Sequence, residues 1–357
     1  MANQKKDKGT APPPAPESGP RFFRDILGQE RAVSHLKTAM ARGRLSHAYL
    51  FLGPGGVGKT TVARALAAAL NCTAPLDDGD ACGECPSCRR LNAGTHPDFL
   101  LIAPTGESHQ PQIKIEQIRD LRHLVEYPPL GGGWRVVVIK PAEALNALND
   151  AAANALLKTL EEPPPQHLMI LTAQGEADLL PTVVSRCHKL AFVPLPILLV
   201  AKELVARRGL NKEQAAWLAA LSGGSLGRAL KLDPEDLLAQ RRQVLEELDH
   251  LTAGSTAGML DWAQRLAKDR TALDNFLVLA QLWYRDLLVS HCRAPDHLVA
   301  NRDLEPELAG VRAAETPGTW FAKFSALGTA QRHLQANLNP ELTLNILGLR
   351  LAATKVR

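Results

Sequence analysis

The segment Gly53-Pro54-Gly55-Gly56-Val57-Gly58-Lys59-Thr60 constrains this chain more than any other part of it. It fits the pattern G-x-x-x-x-G-K-[ST]. The apolar run Ala48–Leu52 precedes it, and Thr60–Leu70, rich in Ala and Leu without Pro or Gly, follows. A strand, glycine turn and helix in that order turn backbone N–H groups inward around phosphate oxygens. They also aim the positive end of the helix dipole at the same point. Lys59 then supplies charge to the β- and γ-phosphates, Thr60 places a hydroxyl for Mg²⁺, and Thr61 follows on the first helical turn. Such a unit demands a parallel sheet with helices on its faces.

The rest of the N-terminal half agrees. Short apolar runs at Phe99–Ala103, Arg135–Ile139, Leu168–Leu171 and Lys189–Val193 read as further strands. Ile115, Ile118, Leu121, Leu124 and Val125 fall on one helical face, and Asp150–Glu162 reads as a helix stopped by Pro163-Pro164-Pro165. Strand and helix alternate over 21–194, the signature of an α/β domain. Beyond it no strand is expected. Ile197–Arg208, Lys212–Leu221 and Ser225–Leu230 read as three short helices, giving a small helical domain over 195–233. Longer helical periods fill 234–357, with breaks at Thr252-Ala253-Gly254 and Thr316-Pro317-Gly318. Residues 1–20, which include Pro12, Pro13, Pro14, Pro16 and Pro20 and no apolar stretch, read as a solvated tail rather than a targeting signal. A cytoplasmic protein is expected.

Composition narrows the choices. With 45% hydrophobic residues among 357, wholesale disorder is excluded. A net charge of +4 argues against gripping duplex DNA by charge alone, and 4% aromatics are too few for a stacking platform on single strands. No carboxylate triad suited to two-metal nucleotidyl transfer is evident.

Four of the six cysteines, Cys72, Cys82, Cys85 and Cys88, cluster within one short stretch. In a reducing compartment they do not read as disulfides. Four thiolates with C-x-x-C spacing suit a closed tetrahedral Zn²⁺ site, a structural staple over 72–88. His96 lies nearby, but the four cysteines already complete the shell. Cys187 and Cys292 are isolated, Cys187 reading as core packing.

Binding a triphosphate is distinct from cleaving it. A P-loop ATPase normally holds its metal with an acid at the end of a neighbouring strand. Here Val136–Ile139 runs into Lys140-Pro141, and the nearest downstream acid is Glu143. The expectation is ATP binding with weakened dependence on Mg²⁺ and little or no hydrolysis by this chain alone.

Further strings carry a family resemblance: Asp25-Ile-Leu-Gly-Gln29, Leu45-Ser-His-Ala-Tyr-Leu-Phe-Leu-Gly-Pro54, Ala153-Asn-Ala-Leu-Leu-Lys-Thr-Leu-Glu-Glu-Pro-Pro164, Ser185-Arg186-Cys187 and Gly224-Ser-Leu-Gly-Arg-Ala-Leu230. Together with the phosphate loop and the cysteines, they resemble the bacterial clamp-loader ATPases of the AAA+ class. The resemblance is firm over about 21–230, and Asn339-Pro-Glu-Leu-Thr-Leu344 is similar to the family's final helix. It implies that Arg186 is an arginine finger reaching a neighbouring subunit's ATP, with an ordinary surface ion pair as the alternative. It implies that Arg228 senses the γ-phosphate of the chain's own nucleotide, and that either Thr172 or Gln174 is the first sensor. It implies a pentamer with gamma/tau and delta subunits, joined through an all-α collar, that loads a sliding clamp onto primed DNA by backbone contacts. Leu342, Leu344, Ile346, Leu347, Leu349 and Leu351 suit either collar packing against partners or an internal core helix. An active motor ATPase of the gamma/tau type is the competing reading, against which Lys140-Pro141 speaks.

Overall fold

A computed structural model describes residues 22–104, 113, 115–145, 150–177, 179–253, 255–292, 294, 298–336 and 338–353. The expected tail over 1–20 lies outside them. Two compact units divide at Leu195/Pro196, one residue past the expected end of the α/β domain.

The first unit holds five parallel strands: β1 (Ala48–Leu52), β2 (Phe99–Ile102), β3 (Arg135–Ile139), β4 (His167–Ala173) and β5 (His188–Ala191), in the order β2-β3-β4-β1-β5. Its helices are α1 (Glu30–Ala41), α2 (Lys59–Leu70), α3 (Pro86–Asn92), α4 (Ile115–Val125), α5 (Asp150–Glu161) and α6 (Pro181–Val184). The strands alternate between two cores. Tyr49, Phe51, Val136, Val138, Leu168 and Ile170 join α1, α2 and α3 on one face. Leu50, Val137, Ile139, Met169 and Leu171 join α4, α5 and α6 on the other. Near-continuous apolar runs in the central strands β1, β3 and β4 are what a sheet covered on both faces requires.

All five expected strands are present, with ends moved by a few residues. β4 starts one residue earlier than its apolar run and extends to Ala173, while β5 starts at His188 and stops at Ala191. Leu124 departs from the expected helical face: Ile118, Leu121 and Val125 are buried, whereas Leu124 is 48% exposed. α3 was hidden in the sequence because it is short and begins inside the cysteine spacing. Pro86 occupies its first turn, where a missing N–H costs nothing.

A buried ion pair fixes the approach to β3. Asp98 and Arg135 have side chains 0% and 4% exposed and meet at 3.0 Å. Asp98 also accepts the N–H groups of Leu130 (2.9 Å) and Gly131 (2.8 Å), and Arg135 reaches the carbonyls of Leu124, Tyr127 and Pro128. One pair thus ties the end of α4 and the whole turn before β3 to the start of β2.

The second unit is helical: α7 (Ile197–Arg208), α8 (Lys212–Leu221), α9 (Leu226–Ala229), α10 (Pro234–Ala253), α11 (Thr256–Ala267), α12 (Arg270–His291), α13 (Glu305–Ala314), α14 (Pro317–Gln335) and α15 (Pro340–Ala353). The first three match the expected short helices, and no strand follows β5 among the described residues. α10 continues through Thr252 and Ala253, against the expected break there, and Gly254 lies outside the described residues. At the other break Thr316 caps α14, accepting the Thr319 N–H. Asn301 links several helices of this unit: its side-chain oxygen accepts from Trp217 (3.3 Å) and Arg241 (3.1 Å), and its amide donates to the buried Asp286 (2.9 Å). No described helix is long and apolar enough to cross a membrane.

Burial opposes ionisation of Asp98, but the Gly131 and Leu130 N–H groups and the Arg135 guanidinium outweigh it and hold its pKa below the ordinary carboxylate value. The folded value therefore lies under the unfolded one. The pair's stabilisation is complete above about pH 4 and is lost as pH falls through the lower folded value. Asp98→Ala, which strands Arg135 as a buried charge, should cost about 3–5 kcal/mol in denaturant unfolding at pH 7 and markedly less below about pH 3.

Candidate functional site

The phosphate loop leaves β1 as an extension of the sheet. Leu52 pairs with Ala173 of β4 and Ala191 of β5, and the Gly53 N–H continues to the Ala173 carbonyl (3.1 Å). A Cβ on Gly53 would lie 2.2 Å from the Phe192 carbonyl oxygen, so only glycine fits there. Gly58 caps α2 at φ 109°, a left-handed conformation that turns the loop into the helix. Lys59, almost fully buried, sits inside the loop and donates to the carbonyls of Gly53 and Pro54, the latter at 2.8 Å. Thr60 and Thr61 follow on the first turn of α2. The structure brings together every residue of the expected loop.

Gln29 is a contributor that sequence reasoning passed over, although it ends one of the family strings. It is 4% exposed, and its amide donates to the carbonyls of Val57 (3.2 Å) in the loop and Val193 (2.7 Å) after β5. It thereby clamps the loop from outside. A buried glutamine reaching two distant carbonyls leaves no periodic signal.

The acidic side of the site comes from after β3, not from its end. β3 closes with Ile139 and leads through the cis Lys140–Pro141 bond into a short 3₁₀ turn, Ala142–Leu145, that carries Glu143. Glu143 Oε1 accepts the Gln174 N–H at 2.5 Å, and its buried Oε2 has no hydrogen-bond partner among the described residues. Its carboxylate acts electrostatically on Lys59: burial lowers the lysine's pKa, and Glu143 opposes that shift. Of the two first-sensor candidates, Thr172 is buried in the sheet, while Gln174 lies exposed just past β4 beside Glu143.

Arg186 follows α6 and is partly exposed. Its guanidinium pairs with Glu161 at 2.5 Å and donates to the Thr182 carbonyl at 2.8 Å. Cys187 is buried in the sheet core, as expected, and burial pushes its thiol up to about 11. Arg228 lies exposed on α9 in the second unit, and Ser225 caps that helix by accepting the Arg228 N–H.

The cysteine insertion forms a centre of its own. The sulfur atoms of Cys72, Cys82, Cys85 and Cys88 all lie within 4.8 Å of one another, with Cys72–Cys85 and Cys82–Cys88 both at 4.0 Å. A tetrahedral zinc with Zn–S near 2.3 Å spaces its sulfurs about 3.8 Å apart. These four residues can therefore hold such a metal with little movement. Backbone N–H groups already point at the sulfurs: Cys82 at Cys72 (3.3 Å), Glu84 and Cys85 at Cys82 (3.4 and 3.3 Å), Cys88 at Cys85 (3.5 Å). Desolvation works against the Cys85 thiolate, but N–H donors from Cys88 and Thr73 bring its thiol down to about 5. Burial pushes Cys88 the other way. His96 stands aside, bonded to Ser87 (3.1 Å) and the Asp98 N–H (3.1 Å). The insertion is anchored by Asp80, fully buried, which accepts the N–H groups of Phe23 (3.1 Å) and Arg24 (3.0 Å).

This assembly can be set beside known proteins. The profile of the family described as "DNA polymerase III, delta subunit" matches residues 28–196. The DNA polymerase III subunit delta′ of Bacillus subtilis is 30% identical over 328 residues, covering 90% of this chain and 96% of that one. The chain belongs to the delta-prime family of DNA polymerase III subunits. The Pseudomonas aeruginosa subunit delta′ is 42% identical over 212 residues, 59% of this chain and 62% of that protein. The Escherichia coli subunit tau is 34% identical over 256 residues, 70% of this chain but 37% of tau.

Two outcomes follow from this geometry. Glu143→Gln should move the Lys59 ammonium titration, followed by side-chain ¹⁵N NMR, to lower pH, because the carboxylate that opposes its desolvation is gone. Cys85→Ser should remove stoichiometric zinc from the purified chain, measured by mass spectrometry of the metal, and lower the melting temperature.

Proposed function

We propose that the chain is the delta-prime-type subunit of a bacterial clamp loader, working in the cytoplasm as a stator rather than a motor. Its loop Gly53–Thr60, with Thr61, holds ATP, and its own hydrolysis is weak or absent. Arg186 is lent to the ATP of an adjoining gamma/tau subunit, and Arg228 answers to the chain's own γ-phosphate. Zn²⁺ on Cys72, Cys82, Cys85 and Cys88 is structural.

The observation that carries this reading is the pairing of an assembled phosphate loop with a β3 that ends on Lys140-Pro141 instead of an acid. A triphosphate can be gripped there, while the usual metal-holding carboxylate is missing from its place. The setting of Arg186 adds support. Its partner Glu161 is 49% exposed, and ion pairs this open contribute about 0–1 kcal/mol, so the guanidinium is cheaply released to a neighbour. An arginine finger stabilises charge developing on the γ-phosphoryl oxygens.

The 234–357 region is proposed as the collar joining this subunit to gamma/tau and delta, with 195–233 as a lid. Two faces of α15 support that role. Leu344, Leu347 and Leu351 are buried within the unit, whereas Leu342, Ile346 and Leu349 are 60%, 40% and 55% exposed. The six leucines and isoleucines thus divide between an internal core and an outward apolar stripe suited to a partner helix. The complete assembly opens the sliding clamp and places it on primed DNA, touching the backbone only. A second reading, a gamma/tau-type motor, draws on Glu143, which brings a carboxylate to Lys59 by another route.

In a clamp loader reconstituted with gamma/tau and delta, Arg186→Ala should cut DNA-stimulated ATP hydrolysis by at least about tenfold while the complex still elutes as one assembly. Loss of assembly would make the arginine structural. Brisk Mg²⁺-dependent phosphate release by the isolated chain, abolished by Lys59→Ala, would establish the motor reading instead.

A further inference from the structure

A cavity opens at the end of the same strands opposite the phosphate loop. It has a volume of about 340 Å³ and is lined by the last turns of α1, the connection to β1, and the first residues of β1 and β5, among them His35, Arg42, Arg44, Ser46, Tyr49 and His188. Tyr49 and His188 are register partners at the N-terminal ends of β1 and β5, so the cavity is separated from the phosphate loop by the length of β1.

Its chemistry is one-sided. No Asp or Glu occurs between Glu30 and Asp77, so the segment supplying most of the lining carries no acid of its own. Lys37 on α1 and Lys189 on β5 are each matched, by Asp78 and Glu176. Arg42 and Arg44 have no ion pair among the described residues. Such bare guanidinium groups, two residues apart, are what a doubly charged oxyanion recruits.

The floor is built rather than incidental. Tyr49 is 1% exposed, and its hydroxyl accepts the Ser46 N–H at 3.2 Å. Among the described residues nothing accepts its own proton. Burial keeps the phenol protonated, so the O–H remains a donor at the cavity base. On the rim the His35 and His188 rings stack at 4.9 Å with an interplanar angle of 15°, and the Tyr49 ring meets His188 edge-on at 5.5 Å.

We infer that this cavity binds a phosphate monoester, its dianion held by Arg42 and Arg44, its oxygens met by the Tyr49 hydroxyl, and its organic part lying along the His35–His188 stack. The dianion suits two arginines better than a backbone diester, which carries one charge. The site is independent of nucleotide held at Gly53–Thr60.

The test uses the full chain carrying Lys59→Ala, which keeps phosphates off the loop. Ring ¹⁵N resonances of His35 and His188, assigned through His35→Gln and His188→Gln, are followed while inorganic phosphate, adenosine 5′-monophosphate, or a short oligonucleotide with or without a 5′-phosphate is added. Saturable shifts at both histidines are expected, with affinity reduced at least about tenfold in Arg42→Gln/Arg44→Gln. Tighter binding of the monophosphate identifies a free nucleotide as the source. Tighter binding of the phosphorylated oligonucleotide identifies a nucleic-acid 5′ end. Both side chains are exposed, and an unchanged circular dichroism spectrum confirms the fold of the double variant. Absence of saturation with every probe, equal affinity in the double variant, or the same shifts from chloride at matched ionic strength would each overturn the assignment.

Discussion

The contact between Gly53 and the backbone after β5 governs the placement of the phosphate loop. Because the loop leaves β1 pressed against the Phe192 carbonyl and hydrogen-bonded to Ala173, it inherits the position of the sheet. Gln29 then holds the far side of the loop to Val193. A loop fixed from both sides presents its amides to phosphate without having to be ordered by it, which is the physical meaning of preorganisation. β1 is central enough to be a rigid mount, with β4 on one side and β5 on the other.

The region around β3 shows how polar groups from separate stretches of chain meet at this mount. Lys140 and Pro141 occupy the place where a motor subunit keeps an acid, yet Glu143 brings a carboxylate back from the following turn and joins it to Gln174. The site therefore keeps a negative partner for Lys59 while losing the usual geometry for a metal. That combination is the physical basis of the stator reading proposed above.

Much of the α/β unit was legible because its signals are local. Continuous apolar runs such as Val136–Ile139 have few alternatives to a buried strand, and glycines flanking Lys59 have few alternatives to a phosphate turn. The cysteine spacing was equally direct. What escaped was whatever depends on residues far apart in sequence. Asp98 and Arg135 are 37 positions apart, Gln29 and Val193 164 apart, and neither pair carries a period that a window could detect. The apolar character of α15 was visible, but its division into an inward and an outward face follows only from where α11 and α14 lie. Gly348, with Met259 Cγ 2.6 Å from where a Cβ would be, records how closely one of those neighbours approaches.

Asp80 gives the cysteine insertion a reach beyond its own loop. Through it Phe23 and Arg24 are sewn to the same knot of backbone that carries the four sulfurs. Gln29, the outer brace of the phosphate loop, begins only a few residues later. Disturbing the four cysteines would thus slacken the entry of the chain and, through Gln29, the far side of the phosphate loop, so that a cluster remote from that loop becomes a condition for its shape.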